Sequence, residues 1–463
     1  MKTASLLLSA AVAAALAGCA TLVPATTDVA PAVPAQWPTG PEQGLVTDAA
    51  TLGWRDFFAD ERLQQVIGQA LENNRDLRVA VINVERARGQ YRIQRADRVP
   101  GINVQGQMER AGGDRPVTEQ FTAGLGVTDF ELDLFGRVRN LSEAALQQYF
   151  SVTANRRNAQ LSLVAETATA WLTLGVDQQL LGIAEATLAT QEDSLRLAQA
   201  RFERGGSSAL ELAQTRTLVE TARTDAARLR GQVEQDRNAL VLLAGGPVDP
   251  ALLPGTEGTD AELAALVPAP TGLPSDVLLR RPDIMAAEHT LLAANANIGA
   301  ARAAFFPSIR LTGLFGSSST ELSGLFDSGT RAWSFMPTIS LPIFQGGRLR
   351  AGLAVATADR DIALAEYEKA IQVGFREAAD ALALSSSLDA QVASQRSLVE
   401  AASQAERLSQ ARYDAGLDSF LVLLDARRTA YGARQSQLQA ELAQQVNRVS
   451  LYKVLGGGWH ARS

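Results

Sequence analysis

The chain repeats itself, and the two copies keep step almost residue for residue. From Gly136 onward the sequence recurs 211 positions later without a gap, so that Gly136 and Arg137 fall on Gly347 and Arg348. Glu166 likewise falls on Glu377, Arg201 on Arg412, Gly205 on Gly416, Ser208 on Ser419, Leu210 on Leu421, Arg216 on Arg427, and Gly245 on Gly456. Upstream the offset is 207, which places Asp76 on Asp283, Ala96 on Ala303, Pro100 on Pro307 and Ile102 on Ile309. A repeat this long is a whole supersecondary assembly made twice, so both halves must adopt one architecture. The change of offset falls between paired strands, in a hairpin loop.

Within each half the hydrophobic period changes twice. Leu63, Val66, Ile67, Ala70, Leu71 and Leu77 predict a helix running toward Asp97. Ile102, Val104, Gly106 and Met108, then Phe121, Ala123, Leu125 and Val127, alternate with polar residues across the Gly112-Gly113-Asp114 turn. Strands are expected at about 102–111 and 120–134, and again at about 308–318 and 332–343. No proline interrupts the chain between Pro116 and Pro247, and this stretch predicts two long helices meeting at a tip near 205–208. Leu174, Leu181, Leu188, Leu195 and Phe202 recur every seven residues, with Ala184 and Ala198 in the complementary seam positions, a coiled-coil spacing. The second tip is expected at about 415–420, and Gly205 and Gly416 are expected to take positive φ in the turns. The units are thus 53–246 and 275–458, joined by a Pro/Gly-rich connector at 247–274, with a tail at 459–463.

The N-terminus carries a charged Lys2, an apolar run, and Leu16-Ala17-Gly18-Cys19. This is similar to the bacterial lipoprotein signal: a peptide 1–18 removed ahead of Cys19, whose thiol takes the lipid, followed by a Pro/Ala-rich tether at 19–52. Ala20, where that pattern would use Asp for inner-membrane retention, points to the outer membrane. Cys19 is the single cysteine, so no internal disulfide forms, and two histidines, His289 and His460, are too few for a Cys/His zinc site. A net charge of -7 without a basic cluster argues against nucleic acid. No nucleophile elbow, P-loop or dinucleotide fingerprint is present, and Glu131 and Asp133 read as capping or lumen-lining groups rather than an acid-base pair. No enzyme, cofactor or metal is expected beyond the lipid on Cys19.

Past the signal no apolar run reaches the length of a transmembrane helix, so any spanning segment is β. Four strands cannot close a barrel, and open strand edges in lipid cost several kcal/mol per unsatisfied group. The chain must therefore associate. Two copies give a barrel filled by its own side chains, whereas three give twelve strands and a lumen. A poreless coiled-coil spacer between envelope layers is the competing class, but it needs no hairpins.

The motifs WRDFFADERL at 54–63, DFELDLFGRVR at 129–139, RRPDI at 280–284, residues 298–308, and GGGW at 456–459 resemble, in this order and with the duplication, the TolC-like outer-membrane efflux lipoproteins of the OprM and NodT branch. The resemblance implies a mainly α fold with membrane β: a homotrimer whose four strands per chain build a twelve-stranded barrel above a helical periplasmic tunnel. It implies docking with a periplasmic adaptor and an inner-membrane pump of RND, MFS or ABC type, in the outer membrane lipid. It also implies that Leu421, Asp425 and Arg428 form the periplasmic gate, as threefold rings of apolar side chains and carboxylates. By spacing alone Asp425 is instead an i,i+3 surface partner of Arg428.

Overall fold

The computed structural model describes residues 22–25, 33, 53–114, 116–255 and 275–457. The expected signal peptide, Cys19, most of the tether, connector residues 256–274 and the tail with His460 lie outside them. In chain order the elements are α1 (Trp54–Phe57), α2 (Glu61–Asn73), α3 (Arg75–Ala96), β1 (Asn103–Ala111), β2 (Thr118–Leu132), α4 (Arg137–Glu203) and α5 (Ala209–Ala244). The second half supplies α6 (Pro282–Ala303), β3 (Ser308–Ser319), β4 (Arg331–Ser340), α7 (Arg348–Asp414) and α8 (Phe420–Val454). The fold is mainly helical with four strands, as expected. The repeat is metrical: α4 and α7 are each 67 residues long, and α3 and α6 are each 22.

The chain divides into two units. One contains residues 22–25, Ile82–Asn155 and Met285–Ala370, and its centre is an antiparallel sheet of order β1-β2-β3-β4. The two hairpins come from different repeats and meet along β2 and β3, where Leu125 pairs with Phe315 and Gly124 with Gly316. β1 and β4 are the outer strands of this sheet.

The other unit contains residues 53–81, Arg156–Ile284 and 371–457. Its core holds Trp54, Phe57, Phe58, Leu63, Val66, Ile67, Trp171, Leu172, Leu240 and Tyr452, all nearly inaccessible. The WRDFFADERL motif is therefore a packing motif. Phe57 stacks on Tyr452 at 4.1 Å, and Asp60 caps α2 by accepting from Arg62 N at 2.8 Å and Leu63 N at 3.3 Å. Trp171 Nε1 donates to the carbonyl of Leu252 and fixes the start of the connector.

Three local expectations are corrected. The single helix expected toward Asp97 breaks at Asn74, which takes extended φ and ψ. Asn74 is buried, caps α3 by accepting from Leu77 N at 3.0 Å, and donates to the carbonyl of Leu243 at 3.0 Å. A side chain that satisfies both a helix start and a remote carbonyl offsets the lost helical turn. The strand expected at 332–343 stops at Ser340, ahead of Pro342, whose ring leaves no N–H for a ladder. The strand expected at 120–134 stops at Leu132, because Leu134 N turns back to Leu132 O at 2.9 Å.

Candidate functional site

In the sheet, register decides what each face offers. Val104, Leu125, Phe315 and Trp333 lie in one row across all four strands, on the face that Phe335 and Ile339 also share. They are exposed in the protomer, Val104 by 83% and Trp333 by 76%. The opposite face carries Gln105, Gln107, Gln120, Thr122, Thr128, Thr312 and Ser318. These polar groups engage one another, as Gln105 Nε2 donates to Thr128 Oγ1 at 2.6 Å and Gln120 Nε2 to Ser318 Oγ at 2.9 Å. One apolar and one hydrogen-bonding face is what a wall between lipid and water requires.

β2 keeps that sidedness through a bulge. Val127 pairs with Gly313 but Phe130 pairs with Leu311, so Thr128 and Asp129 together oppose Thr312. Asp129 takes φ 53 and donates its N–H to Thr312 Oγ1 at 3.2 Å. Apolar positions are odd-numbered up to Val127 and even-numbered at Phe130 and Leu132. Were the same residues paired in strict alternation, Asp129 would face the apolar side and Phe130 and Leu132 the polar one. Just beyond, Glu131 accepts both guanidinium bonds of Arg137, at 2.6 and 2.8 Å, and Asp133 Oδ2 accepts from Arg139 N at 2.7 Å. These carboxylates serve the strand-to-helix junction.

At the helical tips, Gly205 and Gly416 have φ of 76° and 74°. Each closes its helix with the same bonds: Gly206 N to Arg201 O at 2.8 Å in one hairpin, and Leu417 N to Arg412 O at 2.9 Å in the other. Leu421 is 60% exposed and its repeat counterpart Leu210 is 67% exposed. Asp425 and Arg428 are exposed on α8, and neither side chain pairs with another described residue; the i,i+3 contact between them is not made. The neighbouring Arg427 is instead committed, donating to Gln410 Oε1 at 2.6 Å and Ser194 Oγ at 3.2 Å.

Sequence reasoning missed the groups that join the tips. Tyr413 Oη donates to Glu211 Oε1 at 2.6 Å and accepts from Arg201 Nη1 at 3.2 Å, tying the second hairpin to the first. Burial, then the Glu211 carboxylate, push the Tyr413 phenol above its ordinary range. Arg412 closes its own turn with two bonds to Asp418, at 2.6 and 2.8 Å. The signal was present as a difference between repeats: Tyr413 corresponds to Phe202, and Glu211 to Val422. The heptad seam thins toward the tip, with Leu174 buried, Leu181, Leu188 and Leu195 half-buried, and Phe202 exposed.

Comparison with known proteins places these features in context. The family model described as Outer membrane efflux protein matches residues 66–246 and 273–457, once per repeat. The chain is 46% identical to the toluene efflux pump outer membrane protein TtgC of Pseudomonas putida, across 100% of this chain and 97% of that protein. It is 45% identical to outer membrane protein OprJ of Pseudomonas aeruginosa, covering 90% and 88%. Among solved structures, the open state of the Neisseria gonorrhoeae MtrE outer membrane channel superposes with a TM-score of 0.86 at 40% identity, over 95% of this chain and 99% of that one.

Proposed function

The chain belongs to the outer membrane efflux protein family, and we propose that three copies of it form the exit duct of a tripartite efflux pump. The observation that carries the trimer is the four-stranded sheet. Its apolar face is exposed, its polar face is internally hydrogen-bonded, and β1 and β4 each have one strand neighbour among the described residues. In lipid those edges must pair, and β4 of one protomer against β1 of the next closes twelve strands around a lumen.

Cys19 carries the acyl anchor in the outer membrane. The protomer needs no energy source or cofactor of its own, because an inner-membrane pump, coupled through a periplasmic adaptor, drives export. The relatives are named for toluene, solvent and antibiotic efflux pumps, and small toxic compounds of that kind are the cargo of this duct. At the tips Leu421 forms an apolar ring and Asp425 a ring of carboxylates, whose freedom within the protomer leaves them available to neighbouring chains. Tyr413, Glu211 and Arg201 latch the hairpins together within each chain.

Purified protein is expected to run as a heat-labile trimer and to conduct ions in planar bilayers. Replacing Asp425 and Arg428 with Ala is expected to raise closed-state conductance. A monomer without conductance would overturn the duct, and an unchanged closed state would overturn the gate.

A further inference from the structure

We propose that Asp177 and Asp236 share a proton and clamp α4 to α5, so that the first helical hairpin tightens in acid and loosens when that proton leaves. Both residues sit where the helices pack. Asp177 on α4 is flanked by the buried Leu174, Val176 and Leu180, and Asp236 on α5 by the buried Val233 and Leu240. Asp236 Oδ1 accepts from Gln232 Nε2 at 3.0 Å, whereas Asp236 Oδ2 is fully enclosed and receives no other donor. A proton on the facing carboxyl supplies the missing donor.

The charges around the pair do not neutralise it. Burial and the Asp236 carboxyl hold the Asp177 carboxyl up at about 6, and Arg228 on α5 only partly opposes them. Arg228 also acts on Tyr431 of α8, whose Oη donates to Asp225 Oδ2 at 3.3 Å. From α8 the same core receives Leu438, and the flanking charges Arg434 and Glu441 are committed to Glu406 and Arg396 of α7.

The other repeat supplies an internal control. Positions 211 further on hold Leu388 and Asn447, both 8% exposed, and Asn447 Nδ2 donates to the carbonyl of Ala381 at 3.0 Å. The second hairpin thus closes the same joint with neutral groups, and only the first carries titratable ones.

The sign follows from the raised carboxyl. Its stabilisation is complete below the unfolded value near 4, and is lost as pH rises through about 6. In the full-length trimer, hydrogen exchange of α4 and α5 amides around the pair is expected to quicken several-fold between pH 5 and pH 7.5 after correction for intrinsic rates, while α7 and α8 show no such change. The double variant Asp177→Leu/Asp236→Asn copies the second repeat and is expected to abolish the difference. Should that variant fail to fold, Asp177→Asn serves the same purpose, since an amide donates at every pH. Infrared spectra should also show a protonated carboxyl C=O band that titrates near pH 6 and vanishes in Asp177→Asn. Equal pH profiles for wild type and variant, or no titrating band, would overturn the proposal.

Discussion

Asn74 and Arg281 occupy repeat-related joints and grip repeat-related carbonyls, Asn74 Nδ2 on Leu243 O at 3.0 Å and Arg281 Nη1 on Val454 O at 3.2 Å. One repeat builds the joint from an amide, the other from a guanidinium that also binds Asp283 at 2.7 Å and Glu377 at 2.8 Å. Arg281 is 8% exposed, so its loss strands two carboxylates and a carbonyl. Arg281→Ala is expected to cost about 2 to 3 kcal/mol, below the full figure for a buried pair because both carboxylates reach solvent. Asn74→Ala is expected to cost about 1 to 2 kcal/mol. Denaturant titration of the detergent-solubilised protein checks both, and equal losses would mean the two joints are not ranked by charge.

The tip latch predicts a conducting phenotype from a single oxygen. Tyr413→Phe removes the donor to Glu211 and the acceptor for Arg201 while keeping the ring against Phe420 at 5.7 Å. At about 1 kcal/mol per protomer, open events should become several-fold more frequent. Single-channel recording decides the matter, and Glu211→Gln should give a milder version because an amide oxygen still accepts.

Two strand glycines should behave oppositely. At Gly316 a Cβ would overlap the backbone of Ala123 and Gly124, whereas at Gly106 it would meet nothing within 4 Å. Gly316→Ala is expected to prevent stable assembly, and Gly106→Ala to be accepted. Recovery of trimer from outer-membrane fractions measures the contrast.

The bulge in β2 gives a sharper test. Deleting Asp129 would leave Thr128 alone opposite Thr312, with Phe130 and Leu132 still on the apolar face, so insertion into membranes is expected to survive the loss. Asp129→Gly keeps the bulge and relieves a left-handed φ, so its thermal stability should equal or slightly exceed wild type. Asp129→Val should lose roughly 1 to 2 kcal/mol.

Between the hairpins, Tyr431 titrates late. Burial and the Asp225 carboxylate push its phenol up to about 12. Its contribution to stability is present below the ordinary tyrosine value near 10 and is lost as pH rises toward about 12. Ultraviolet titration of tyrosinate in wild type and Tyr431→Phe should differ by one phenol in that window.

The duplication made the architecture legible, because matching offsets located helices, hairpins and both tips before any contact was known. What escaped depended on distant partners. Asn74 breaks a helix without Gly or Pro, and its reason, the carbonyl of Leu243, lies far along the chain. The phase change at Asp129 follows from pairing with β3, a strand of the other repeat. Tyr413 and Glu211 meet only after both hairpins have formed. Spacing suggested an Asp425–Arg428 pair, yet both side chains stand apart in solvent, where such a pair gains little.

Equal helix lengths turn the chain into a ruler with one slack end. An added residue within α4 or α7 would advance everything beyond it by about 1.5 Å and rotate it by about 100°. An added residue between Gly324 and Thr330 would merely enlarge the turn between β3 and β4. Short peptides spliced into that turn are therefore expected to leave the pairing of β3 with β4 intact, while the same peptides anywhere along the ruler would put the two repeats out of step.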